Sequence, residues 1–120
     1  MTTLIIYSLA LALIQVLLAI VVNIKNLDYL LSSRDETMEE SPYAGRSKRA
    51  FSNLLESLPI FLTLSILSII LEIDNYNLAL YWLILRAIYV PIYIFNVKNI
   101  RTLAWMGSII CLVLMAVSLI

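Results

Sequence analysis

Hydrophobic positions along the chain gather into four long runs with polar breaks between them. The first, Leu4 to Val22, contains no charged side chain. A helix needs about 20 predominantly apolar residues to cross the hydrocarbon core of a bilayer, and this run supplies them. No basic residue precedes it and no small-residue cleavage site follows, so it is expected to be retained rather than removed as a secretory signal. The last run, Leu103 to Ile120, is likewise uncharged. The third, roughly Asn77 to Val97, carries Arg86 near its middle. The second begins around Ser47 and continues to Leu71, polar over its first two turns and apolar from Leu58. At about 1.5 Å per residue it is long enough to reach from the aqueous boundary across the membrane. The pattern predicts four transmembrane helices.

The breaks agree with that division. EIDNYN, Glu72 to Asn77, offers Asp and Asn suited to a tight connection, and FNVKNIRT, Phe95 to Thr102, makes another. The first connection, Asn23 to Arg46, is longer, and its DETMEESPYAG portion combines acids with Ser, Pro and Gly that resist regular structure. This loop is expected to lie in water. Composition strengthens the picture: 62% of the 120 residues are hydrophobic and 13% charged, with a mean hydropathy of +0.98. A soluble domain this small could not bury that much apolar surface. The expected fold is therefore all-α, an integral membrane four-helix bundle forming a single domain over residues 1–120. Lys25, Arg34, Arg46, Lys48, Arg49, Lys98 and Arg101 fall in or beside the first and third connections, whereas both termini and the second connection hold no lysine or arginine. The positive-inside rule then places the first and third loops in the cytoplasm and both termini outside, across the inner membrane if the source is bacterial.

Several chemistries lack their residues. There is no histidine, no set of cysteines or carboxylates at metal-ligand spacing, and no phosphate-cradling glycine loop. The lone Cys111 cannot form an intrachain disulfide and reads as a small packing residue in the fourth span.

The polar side chains inside the spans are the informative ones. Arg49, Asn53 and Glu56 stand at i, i+4 and i+7, so they share a narrow arc of the second helix. Arg86, Tyr89 and Tyr93 stand at i, i+3 and i+7 on the third. A charge deep in a bilayer costs about 2.5 to 3.5 kcal/mol on insertion scales, so such groups face protein or water and mark function. Arg86, flanked by uncharged residues on both sides, is the sharpest case. A structural ion pair with Glu56 is one reading. Yet Arg49, Arg86 and Arg101 would compete for that one carboxylate, which points to an anionic partner from outside the chain. Several arginines favour planar carboxylates through forked hydrogen bonds, and a glutamate beside them can accept an ammonium. A small molecule with two carboxylates and one amino group would balance the set; glutathione has that pattern, though not uniquely.

GRSKRAFSNLLESLPIF, followed by LRAIYVPIY and IRTLAW, resembles the membrane-associated proteins in eicosanoid and glutathione metabolism, the MAPEG family, and in particular its small bacterial members. The likeness covers roughly Tyr29 to Trp105. It is carried by Arg-x3-Asn-x2-Glu at Arg49, Asn53 and Glu56, by Arg-x2-Tyr-x3-Tyr at Arg86, Tyr89 and Tyr93, and by Arg101 with Thr102. The resemblance implies a homotrimer of four-helix protomers that holds glutathione in clefts between neighbours, open to the cytoplasm. Arg49, Asn53, Glu56, Arg86 and Tyr93 would grip the tripeptide, Glu56 receiving its amino group, with Tyr89 a further binding tyrosine. Arg101 would stabilise the thiolate, and Thr102 takes the place of a neighbouring serine in one branch. A guanidinium beside a thiol favours the ionised nucleophile, and lipophilic substrates would meet it from the bilayer. Pro91 is expected to free the Ala87 carbonyl and bend the third helix near the site.

The sequence also departs from the family pattern. Ser52 stands where the prostaglandin-forming branch has an arginine, and the inner end of the first helix offers only Asn23 and Lys25. Arg34 and Asp35 look like a feature of the bacterial members with no catalytic role assigned. The function expected is glutathione transferase or peroxidase activity on lipophilic electrophiles or hydroperoxides. Two readings of other kinds compete with it, a noncatalytic membrane subunit and a small four-helix multidrug carrier. A carrier of that type places its glutamate on the first helix, where this chain has no acid and Gln15 is the deepest polar group.

Overall fold

A computed structural model describes residues 1–22 and 42–120. It contains four helices: α1 (Thr2–Val22), α2 (Pro42–Ile70), α3 (Tyr76–Ile94) and α4 (Lys98–Leu119). All four are long and apolar enough to cross a membrane. At about 1.5 Å per residue they measure roughly 31, 43, 28 and 33 Å, so α2 alone clearly overshoots a hydrocarbon core of about 30 Å. Asn23, Lys25, Arg34, Asp35 and most of the first connection lie outside the described residues.

The boundaries differ from those expected at three places, each for a local reason. The end of the DETMEESPYAG run is helical, because α2 starts at Pro42; proline suits a first helical position, where its missing N–H would be unpaired anyway. Lys98 to Thr102 is also helical and belongs to α4, since a polar first turn and a polar loop look alike in hydropathy. The third helix ends early, at Ile94, although it runs on through Pro91. Its stop is a Schellman motif: Asn96 takes φ 60, its N–H reaches the Tyr93 carbonyl at 3.1 Å, and the Val97 N–H reaches that of Ile92 at 3.1 Å. The end of α2 is built the same way around Glu72, at φ 55, with Ile73 N–H bonded to the Ser68 carbonyl at 3.0 Å.

Packing is uneven along the bundle. α3 lies against α4 and α2, and α1 packs on α2 and α3. The main core joins Leu4 of α1, Leu54, Leu58 and Phe61 of α2, Ala79 and Trp82 of α3, and Cys111, Leu112 and Met115 of α4. At its centre the Phe61 and Trp82 rings stack at 3.9 Å with 8° between their planes. Gly107 lets α4 approach α3, for a Cβ there would sit 3.0 Å from Leu85 Cδ1. These residues fill the half of the bundle nearer the α2–α3 turn. That end is fastened by Asn75, only 3% exposed, whose Nδ2 donates to Ser68 Oγ of α2 at 2.9 Å while its Oδ1 accepts from Ser118 Oγ of α4 at 2.8 Å. The other half, nearer Arg46 and Arg101, holds a much smaller apolar cluster of Ala50, Tyr89 and Ala104 with Tyr93 against it. Large apolar side chains cover the outside of every helix, among them Leu13, Leu17, Ile70, Ile84, Leu103 and Val117, a surface suited to lipid and not to water.

Candidate functional site

The sparsely packed half contains a cavity of about 270 Å³, lined by Asn53 from α2, Tyr89 and Tyr93 from α3, and Arg101, Thr102 and Trp105 from α4. Its back wall follows from the third-helix spacing. The Tyr89 ring is held between small residues, Ala50 on α2 and Ala104 on α4, which lets three helices close around one phenol. Tyr93 lies one turn on, with ring centroids 5.5 Å apart and tilted by 48°. Each tyrosine carries a guanidinium on its face: Arg86 Cζ is 4.7 Å from the Tyr89 centroid and Arg101 Cζ is 4.8 Å from that of Tyr93. The result is a ladder, Arg86, Tyr89, Tyr93, Arg101, that runs along α3 and crosses to α4. A cation over an aromatic face gains about 0.5 to 1 kcal/mol when exposed and about 2 kcal/mol when desolvated, so the buried Arg86 and Tyr89 pair gains more than the partly exposed Arg101 and Tyr93 pair.

Arg86 is the most unusual member. It is 1% exposed, and Nε, Nη1 and Nη2 are all buried without a hydrogen-bond partner. Glu56 is close enough to act on it electrostatically, but among the described residues no ion pair engages it. Asn53 Oδ1, on the cavity wall, is likewise buried and unbonded. The Thr102 hydroxyl spends its proton on its own helix, donating to the Lys98 carbonyl at 3.2 Å, and keeps only acceptor capacity for the cavity.

The polar stripe of α2 is divided by the packing. At about 100° per residue, Arg49 and Glu56 lie roughly 40° and 60° to one side of Asn53, while the buried Ala50, Leu54, Ser57 and Phe61 lie about 40° to 100° to the other. Asn53 thus sits at the edge of the packed face and reaches the cavity, whereas Arg49 and Glu56 are exposed on the protomer surface. The Arg49 guanidinium folds back along its own helix over Gly45, where a Cβ would meet Nη1 at 3.4 Å. Arg46, which the sequence marked only as a basic boundary residue, ties the start of α2 to the end of α3 by donating from Nη1 to the Ile94 carbonyl at 3.1 Å. That bond uses a carbonyl a helix end leaves free and places a cation at the negative end of the helix dipole.

The structure therefore gathers Asn53, Tyr89, Tyr93, Arg101 and Thr102 around one cavity, sets Arg86 a turn behind Tyr89, and leaves Arg49 and Glu56 outside it. Trp105 was not anticipated. Its signal was available, since it follows Arg101 by four residues and Thr102 by three and so shares their face of α4.

No curated protein and no solved structure is similar enough to match the chain. The family model for MAPEG, however, matches residues 4–120. With its four membrane-spanning helices and a match over nearly the whole chain, this integral membrane protein belongs to the MAPEG family, whose members are tied to glutathione and eicosanoid metabolism.

Proposed function

We propose that the protein binds glutathione and acts as a glutathione transferase or peroxidase on lipophilic electrophiles or hydroperoxides. The observation that carries this reading is the convergence of Asn53, Tyr89, Tyr93 and Arg101 on one cavity, with Arg86 a turn behind Tyr89: a guanidinium buried at membrane depth with every nitrogen unbonded. Such a group suits a planar carboxylate, which it can meet with two parallel hydrogen bonds. Asn53 Oδ1 suits an N–H donor, and Glu56 suits an ammonium. The residues present thus fit the charge pattern of the tripeptide. When bound, glutathione would supply the sulfur nucleophile. Arg101, held on the Tyr93 face, puts positive charge at the cavity wall where an ionised thiol would be favoured. Thr102 adds an acceptor beside it.

The reading includes a homotrimer with the site shared between protomers and the basic end in the cytoplasm. Counting back from Ile70 at about 1.5 Å per residue, Glu56 lies roughly 21 Å in, which leaves it about 9 Å inside a 30 Å core, and Arg49 falls at its inner edge. An exposed carboxylate at that depth costs several kcal/mol against lipid, on the order of the insertion penalties for ionised side chains. Covering the Arg49 and Glu56 face with a neighbouring protomer removes that cost and brings both residues to the edge of the cleft that Asn53 enters.

Thermal unfolding of the detergent-solubilised protein tests the reading. Glutathione at a hundredfold excess over its Kd stabilises by about 2.7 kcal/mol if it binds only the folded state, and Glu56→Gln should remove most of that gain. No rise in Tm at millimolar glutathione refutes the proposal. A noncatalytic subunit, in which the cation and ring ladder merely closes the helices, predicts that outcome.

A further inference from the structure

Among the described residues, Trp105 is the one aromatic wall of the cavity whose face carries no ring or cation. Tyr89 carries Arg86 and Tyr93 carries Arg101 on its face, whereas the Trp105 indole makes no described ring or cation contact. It is 41% exposed, and its neighbours Leu103 and Met106 are exposed too, at 68% and 48%. The indole thus stands where the cavity meets the lipid-facing surface of α4. Along that helix it lies about 6 Å beyond Arg101 on the same face, so a molecule entering from the bilayer passes the indole before it reaches the guanidinium.

We propose that Trp105 is the docking wall for the second, lipophilic substrate and selects for flat, electron-poor aromatic rings over aliphatic electrophiles. The argument is electrostatic as well as geometric. An indole face is electron-rich and prefers an offset stack with a ring whose own face is electron-poor. Nitro- and halogen-substituted arenes have such faces, and the same substituents make a ring carbon susceptible to attack by sulfur. The wall therefore favours the compounds that Arg101-assisted chemistry can use. An alkenal or alkyl hydroperoxide of equal lipophilicity gains nothing from the stack. This inference rests on the transferase reading above, yet the ring site can be measured without glutathione.

The chain has two tryptophans, and Trp82 is fully buried against Phe61, which makes it an internal control. Dinitrobenzene, which has no leaving group, is titrated into the full-length protein in detergent while tryptophan fluorescence is followed. Saturable quenching that is lost in Trp105→Phe is expected. In parallel, the ratio of kcat/KM for chlorodinitrobenzene to that for a nine-carbon alkenal should fall about two- to tenfold in Trp105→Leu, the range expected for one lost aromatic pair. Non-saturable quenching, or saturable quenching that persists in Trp105→Phe, overturns the proposal. So does an equal fall for both substrates. Saturable, Trp105-dependent quenching in a protein whose Tm ignores glutathione would uphold the ring site and refute the glutathione reading; a Tm rise without such quenching would do the reverse.

Discussion

Replacing Arg86 by methionine should make the ligand-free protein more stable and deaf to glutathione. An ionised arginine at membrane depth costs about 3 kcal/mol on insertion scales. In this protein its stacking on Tyr89 at 4.7 Å returns about 1 to 2 kcal/mol, and no hydrogen bond offsets the rest. Methionine is similar in length, flexible and able to fill the space beside Tyr89 with a favourable sulfur and ring contact. The net expectation is a gain of about 1 to 2 kcal/mol, read as a rise of several degrees in Tm without glutathione. With glutathione present the order should reverse, because the binding proposed above would give the unsubstituted protein about 2.7 kcal/mol at a hundredfold excess over Kd and the variant little. Melting curves of both proteins, with and without the tripeptide, give all four values in one experiment. A lower Tm for Arg86→Met in the absence of glutathione would refute the reasoning. It would mean that the guanidinium is already satisfied by protein, with Glu56 the nearest candidate, and that the stripe is a structural ion pair after all.

Two further predictions concern the opposite end of the bundle. Asn75→Ala removes one buried and one part-buried side-chain hydrogen bond at about 0.5 to 1.5 kcal/mol each, and because the Ser68 hydroxyl still donates to the Leu64 carbonyl at 2.8 Å, the loss should stay near 1 to 3 kcal/mol; a fall in Tm of the ligand-free protein checks it. Glu72→Gly relieves a left-handed conformation that costs an L-residue about 1 to 2 kcal/mol, less the entropy glycine adds to the unfolded chain, so Tm should rise by a few degrees, and any decrease would argue that the Glu72 side chain makes a stabilising contact.

The part of the site that could be read from the chain is the part confined to single helices. Arg86, Tyr89 and Tyr93 are fixed relative to one another by the helix repeat, and they do form one row. How α2 divides its stripe was not legible, because a membrane helix is apolar nearly all round and lacks the amphipathic signal that tells a soluble helix where its packed face lies. Asn53 therefore could not be separated from Arg49 and Glu56 by spacing alone. Asn75 read as a turn residue for a similar reason. Nothing local tells a loop asparagine from one that will be buried between Ser68, seven residues back, and Ser118, 43 residues ahead.

The number and approximate placement of the helices were determined by the sequence alone, since a bilayer of fixed thickness demands apolar runs long enough to cross it whose backbone bonds close within each segment. Only the tertiary structure decided which polar groups meet. Ala50 and Ala104 had to close around Tyr89 before Arg101 could settle on Tyr93 and Trp105 could complete the cavity. Those contacts depend on the rotation of each helix about its axis, a quantity set by the fit of small and large side chains between helices and not by hydropathy.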